Sequence, residues 1–436
     1  MADRLHDAMA SALPDGARTL IERLNDAGHA AYVVGGFVRD VVLGRPTHDV
    51  DVATSASPEA VMRIFADRAV YPTGLKHGTV TVAIDGRMIE VTTFRADGDY
   101  TDGRHPDRVT FVDAIEEDLA RRDVTINAVA WHPDRGFIDP WGGVEDMACG
   151  VIRAVGDPTV RFREDGLRLM RALRLASELS FSIEPATSEA LMACRDGLAR
   201  VAPERVLVEL RRLLVGLAAP EVLAAYAPVP AVVIPELDAV IRRGELDRAV
   251  RRMARLPADP ALRLAGLLWD VADADRPIDE VARRLRSDRA TVDRLQALRR
   301  AAATVDAAMR AYHPDPVLWR AYRRDGAQAV RDAVTLIGAD RASASAIGDT
   351  FEIIAWTAVK VKAHALLLRA ARLEDEGLAV DGHDVEARGC RGPEIGAALD
   401  RLRYDVVTGK VKNEREALMG RLETFDLGSE LTSDET

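Results

Sequence analysis

Aromatic residues fill only 5% of the 436 positions, and cysteines number three. So few aromatics exclude extensive stacking of bases on an aromatic platform. Cys149, Cys194 and Cys390 are widely separated. They form neither a disulfide framework nor a metal-ligand spacing, and a reducing cytoplasmic setting is expected. No run approaches the roughly 18 consecutive apolar residues of a membrane-spanning helix. The opening stretch MADRLHDAMASALPDGARTLIERL lacks the basic-then-apolar pattern of a secretory signal. No membrane association is expected. A repeat of fixed period is also missing.

What is present is ordinary for a globular chain: 48% hydrophobic and 30% charged residues. The length favours about two to four domains. A net charge of −11 argues at first against a nucleic-acid partner. However, the last fourteen residues, ETFDLGSELTSDET, hold five acids and no Lys or Arg, and read as a solvating end. Arginines crowd between Arg161 and Arg174. Global charge therefore does not decide the partner.

The chain changes character near residue 150. Before it, β-type runs such as AAYVVGG, HDVDVAT, GTVTVAID and RMIEVTTF alternate with helical patterns. After it, Ala, Leu and Arg recur at helical spacing to about residue 425. Proline-containing breaks at 227–237 and 313–319 divide that region further. The fold class expected is α+β: a small mixed sheet with helices, then an elongated helical part.

Two features in the first third bear on chemistry. Gly35 and Gly36 follow the strand-like AAYVV and precede the helical FVRDVVLG. Glycines without Cβ let the main chain approach a ligand closely, and a helix start offers unpaired N–H groups to a phosphate. Arg39 lies one turn on, able to reach the same phosphate. A plain glycine turn with a solvated arginine is the other reading of that pair. In HDVDVAT the strand period of two places Asp49 and Asp51 on one face. Such close carboxylates repel unless a cation lies between them. Mg²⁺ commonly takes one or two carboxylates plus substrate phosphates, which makes Asp49 and Asp51 candidate metal ligands and catalytic residues, the other reading being solvated acids on an exposed edge strand. Glu90, in the strand-like RMIEVTTF, is a candidate third catalytic carboxylate or else a surface acid. His48 and His77 are read as structural.

The stretch GGFVRDVVLGRPTHDVDVATSASPE (35–59) resembles the first motif of the class II nucleotidyltransferases, the family of bacterial tRNA CCA-adding enzymes and poly(A) polymerases. GLKHGTVTV (74–82), DGRHPDRVTFVD (102–113), DLARRDVTINAVAW (118–131), DPWGGVEDM (139–147) and RFREDGLRLMRALRLA (161–176) agree with it in order. GPEIGAALDRLRYDVVTGKVKNEREAL (392–418) resembles the C-terminal end of the CCA-adding members. The resemblance is dense over 31–215 and sparse from there to about 375. It implies a catalytic head (1–150), a helical neck (151–215), a helical body (216–335) and a helical tail that binds tRNA (336–425), with an acidic end over 426–436. It implies that Asp49 and Asp51 hold the metals. It also implies nucleotide contacts from Gly36, Arg39, Arg122, Asp165, Arg168, Arg171 and Arg174, with Gly35 beside them. Val124 stands where the family usually has Phe, an apolar-for-apolar change.

A spacing of three puts Asp165, Arg168, Arg171 and Arg174 along one ridge of a helix. Cytosine and adenine present an amine donor beside a ring-nitrogen acceptor, whereas guanine and uracil present the reverse. An Asp–Arg pair therefore complements C and A. The competing reading is an ordinary charged helix with i,i+4 pairs such as Glu164 with Arg168. For Arg171 and Arg174, phosphate or ribose contacts compete with packing against acids.

The activity the resemblance implies is template-independent addition of C, C and A to the tRNA 3′ end from CTP and ATP, with release of pyrophosphate by two-metal nucleotidyl transfer and Mg²⁺ as cofactor. Poly(A) synthesis, A-only addition and an inactive RNA-binding protein are the alternatives. The segment 94–109 resembles the flexible segment linked to the switch from CTP to ATP, which disfavours CC-only addition. Arg401, Arg403, Lys410 and Lys412 are candidate tRNA phosphate contacts.

Overall fold

The computed structural model describes residues 2–47, 49–75, 78–98, 109–271, 278–344 and 350–425. His48, His77 and most of the 94–109 segment lie outside the described residues, as does the acidic end. The chain is α+β and divides into two compact units. The first comprises Met1–Val250 with Ala258–Val271 and Arg284–Ser287; the second comprises Arg251–Pro257, Ala272–Arg283 and Asp288–Thr436.

The first unit opens with helices α1 (Ala2–Ala12) and α2 (Asp15–Asp26), then strand β1 (Ala31–Val34), helix α3 (Gly36–Val42) and strand β2 (Asp51–Thr54). Helix α4 (Pro58–Ile64) starts on Ser57, whose side chain accepts the Ala60 N–H as an N-cap. Strands β3 (Val70–Gly74), β4 (Thr79–Ile84) and β5 (Arg87–Thr93) follow, then the antiparallel pair β6 (Arg95–Asp97) and β7 (Val109–Phe111). Helix α5 (Ile115–Ala120), strands β8 (Ala130–His132) and β9 (Gly136–Ile138) and helix α6 (Gly143–Cys149) complete the sheet region. The order of the large sheet is β3-β4-β5-β2-β1-β8-β9. Within it only β2 and β5 pair in parallel, so the sheet is mixed.

Alternation decides the two faces of this sheet. Val80, Val82, Ile89 and Val91 are buried on one face, in the layer to which Leu20 and Ile21 of α2 and Val61 of α4 contribute. On the other face Tyr32, Val34, Ala53 and Ala130 form a core with Phe94, Ile115, Leu119 and Ala128. Val124 is buried and bridges to Ala154, so a smaller apolar side chain serves that core position.

Past residue 150 the first unit is helical apart from the two-residue strands Val151–Ile152 and Ser182–Ile183. Its α-helices there begin with α7 (Pro158–Glu164), α8 (Leu167–Leu179), α9 (Pro185–Cys194) and α10 (Pro203–Val215). Helix α8 buries Leu169, Met170, Leu173 and Leu175 and packs along α10.

The second unit pairs the long helices Arg289–Arg310 and Pro314–Ser343, the latter broken at Gly326, with Thr350–Glu376. Its C-terminal helices Gly382–Glu386, Pro393–Val407 and Arg415–Leu422 enclose a small core of Val385, Cys390, Leu402 and Leu418. No described helix is long and apolar enough to cross a membrane.

Candidate active site

Strand β1 ends at Val34, and the chain turns through Gly35 at φ 72°, a backbone angle that side chains rarely adopt. A Cβ on Gly35 would stand 3.2 Å from Arg122 Nη1 and 3.9 Å from Asp51 Oδ2. The missing side chain thus lets the main chain, a guanidinium and a carboxylate meet. Arg39, one turn into α3, folds back so that its Nη2 lies 3.6 Å from where a Gly36 Cβ would stand. It donates to Asp40 (2.9 and 3.0 Å) and to Asn127 Oδ1 (2.8 Å).

Asp51 opens β2, and in the parallel pair its partner across the ladder is Glu90. The two carboxylates therefore project from the same side of the sheet. Asp49 departs from the expectation that one strand would carry both aspartates. The last residue of β1, Val34, lies opposite Asp51, so nothing remains on β1 to pair with Asp49, which sits exposed ahead of the strand. It still acts on Asp51. Burial pushes the Asp51 carboxyl up, Glu90 and Asp49 push it further, and Arg122 offsets part of the rise.

Among the described residues no three or more His, Cys, Asp and Glu are gathered as a metal cage. Mg²⁺ seldom needs one, because substrate phosphates and water complete its oxygen shell. Glu90 and Asp49 each repel the Asp51 carboxylate, and carboxylate oxygens are the ligand type that a hard divalent cation takes.

The arginines of RRD divide their work. Asp118, fully buried, accepts from Arg121 (2.7 Å) and Arg122 (3.1 Å). Burial alone would raise its carboxyl, but the two guanidiniums hold it below the usual range. Arg122 Nη1 also donates to the Asn127 carbonyl (3.3 Å), and its Nε is buried with no hydrogen-bond partner among the described residues. The next residue, Asp123, accepts from Asn127 Nδ2 (3.3 Å) and from Arg171 Nε (2.7 Å). Burial opposes its ionisation, yet Arg171 and the Val124 N–H keep the carboxyl well below the usual range. A continuous polar line thus runs from Arg39 through Asn127 and Asp123 to Arg171 on α8.

Helix α8 carries Arg168, Arg171 and Arg174, but Asp165 is not on the same ridge. It sits in the extended link after α7, at φ −139° and ψ 111°. The EDG sequence breaks the helix there. A Cβ on Gly166 would come within 2.6 Å of the Gly197 carbonyl oxygen, so only glycine permits this close approach. Asp165 Oδ1 accepts the Leu167 N–H (2.9 Å), and Oδ2 accepts from Arg205 (3.0 Å). Arg168 is buried, donating to the carbonyls of Arg121 (2.9 Å) and Arg161 (3.1 Å), and it forms the i,i+4 pair with Glu164. Its bond to Arg121 anchors α8 one residue from Arg122. Arg171 remains 38% exposed, whereas Arg174 is buried against Glu209 (2.8 Å) and near Glu178. Asp123 draws the Arg171 guanidinium upward, while burial pushes Arg174 down.

Asp118, Asp123, Asn127, Arg205 and Glu209 are not singled out by the sequence alone. The first three stand within DLARRDVTINAVAW, and the last two are four apart in PERVLVEL, the spacing of one helix face. In the second unit the candidate tail cations already have acidic neighbours: Arg403 with Asp400, Arg401 and Lys410 with Asp405, and Lys412 with Glu414.

Residues 31–153 match the poly A polymerase head domain, and residues 180–225 match the probable RNA and SrmB-binding site of polymerase A. With the carboxylates and arginines above, this defines the class as a nucleotidyltransferase. The CCA-adding enzyme of Levilactobacillus brevis is 34% identical over 92% of this chain and 96% of its own length. That of Leuconostoc mesenteroides is 52% identical over 200 residues, which are 46% of this chain and 49% of that protein. The crystal structure of the Bacillus stearothermophilus CCA-adding enzyme in complex with CTP is 33% identical, superposes with a TM-score of 0.67, and covers 94% of this chain and 96% of that one. The chain belongs to the family of CCA-adding enzymes.

Proposed function

We propose that this chain adds C, C and A in turn to the 3′ end of tRNA, from CTP and ATP and without a nucleic-acid template. Family membership supports this reading. The observation that carries it is the polar line from Arg39 through Asn127 and Asp123 to Arg171, which ties the glycine and carboxylate corner to helix α8. Phosphate chemistry and base choice can then act on one nucleotide.

Gly35 and Gly36 bring the main chain to the triphosphate, and Arg39 and Arg122 present N–H donors to its oxygens. Asp49 and Asp51 are the residues that would hold Mg²⁺, which when bound would polarise the α-phosphate and ease departure of pyrophosphate. The tRNA 3′ hydroxyl attacks the α-phosphorus, its proton passes to a carboxylate of the Asp51 and Glu90 pair, and the α–β bridging oxygen leaves with pyrophosphate. Asp165 accepts from the exocyclic amine of C or A, and Arg168 turns from its Glu164 pair to donate to the ring nitrogen. G or U would leave these groups unpaired, at about 1–3 kcal/mol each. Arg171 and Arg174 brace α8 through Asp123 and Glu209, and Arg171 alone of the two keeps substantial exposed surface for a ligand. The finer division into head (1–150), neck (151–215), body (216–335) and tail (336–425), with the tail on tRNA phosphates, belongs to the same proposal. Three free cysteines fit a reducing cytoplasm.

Purified protein, incubated with Mg²⁺, tRNA lacking its last three nucleotides and each labelled nucleotide, tests this. C incorporation followed by A supports it. Long A tracts would favour poly(A) synthesis, A on a CC-ended tRNA alone would favour A-only addition, and binding without incorporation would favour an inactive binder.

A further inference from the structure

We propose that Arg205 is a positioning residue that sets nucleotide choice by fixing the Asp165 carboxylate. This rests on the reading of Asp165 as the group that accepts from C and A. Asp165 lies in an irregular link, where a carboxylate is free to rotate unless both oxygens are held. Here both are: Oδ1 by the Leu167 N–H at 2.9 Å and Oδ2 by Arg205 Nη2 at 3.0 Å. Each carboxylate oxygen has two lone pairs, so these two bonds leave one further acceptor direction on each. The plane of the carboxylate is thereby set before a nucleotide arrives.

The clamp is rigidly mounted. Arg205 belongs to α10, which packs along α8. One turn further, Glu209 pairs with Arg174 at 2.8 Å and approaches Arg171 at 4.0 Å. The same face of α10 therefore meets Arg171 and Arg174 of α8 and the acid ahead of it. Arg205 Nη1 is buried and has no hydrogen-bond partner among the described residues, so Asp165 is the group that orients this guanidinium. Such a one-to-one pair predicts that Arg205 acts on selection only through Asp165.

The test compares kcat/KM for CTP with that for UTP in four proteins: the parent, Arg205→Gln, Asp165→Ala and the double variant. Arg205→Gln is expected to lower the CTP preference about tenfold, chiefly by raising UTP incorporation, with the KM for CTP changed far less. Asp165→Ala is expected to lower it at least as much, and Arg205→Gln is expected to add nothing in that background. Arg205→Lys, which keeps a donor of the same charge, is expected to recover part of the preference. Thermal unfolding of each variant separates this from general loosening, which would depress incorporation of CTP and UTP together. An unchanged preference in Arg205→Gln beside a relaxed Asp165→Ala overturns the role of Arg205 alone. Equal effects of Arg205→Gln with and without Asp165 overturn it as well. A fully retained preference in Asp165→Ala overturns both this inference and the base-edge reading beneath it.

Discussion

At Asp51, burial and the neighbouring Glu90 and Asp49 carboxylates all favour the protonated form, and only Arg122 opposes them. A carboxyl whose folded pKa lies above its unfolded value binds its proton more tightly in the folded chain. Stability therefore falls as pH rises from the unfolded value of about 3.9 through the raised folded value. Asp51 reaches solvent at the start of β2, which screens these charges, so at neutral pH the ionised group is held at only a small cost to the fold. Asp51→Asn is accordingly expected to raise the thermal midpoint near pH 7 in metal-free buffer while lowering nucleotide incorporation at least about a hundredfold. Calorimetry and a primer-extension assay check the two halves. A lowered midpoint would mean that the carboxylates do not crowd one another at a cost to the fold.

In the proposed function selection and phosphate binding converge on helix α8 and the RRD turn, and the Asp123–Arg171 bond joins the two. Asp123 is held below the usual carboxylate range, so its contribution is present above the unfolded pKa and lost as pH falls toward the folded one. Asp123→Asn is expected to destabilise the first unit by about 2 kcal/mol, less than a fully buried pair loses because Arg171 keeps 38% exposure. The variant should also flatten the acid limb of stability against pH, and an unchanged limb would show that this pair pins nothing. Sequence spacing makes the turn of Gly35 and Gly36, the β2 and β5 strands and the arginines of α8 legible, because each rests on local periodicity. It misplaces Asp165 on the ridge and Asp49 in the strand. Both are decided by non-local contacts: Gly166 against Gly197, and β1 ending opposite Asp51. Which acid meets Arg171 or Arg205 is equally hidden, since the partners stand 48 and 40 residues away along the chain.

Across the whole molecule the net charge is −11, so a grip on RNA phosphates must come from local cations rather than from the overall field. In the second unit Lys410 lies 4.5 Å from the Tyr404 ring centroid, and Lys412 is 82% exposed at its side chain. Changing both to Gln is expected to reduce the slope of log tRNA affinity against log salt by about 0.7–0.9 per lysine. An unaltered slope would take these residues off the RNA surface. The decisive measurement is a structure of this protein with CTP and Mg²⁺. The expected result places the cytosine edge within hydrogen-bond reach of Asp165 and Arg168, with the triphosphate between Asp51, Arg39 and Arg122. A cytosine seated away from α8, or a triphosphate remote from Asp51, would contradict the proposed site.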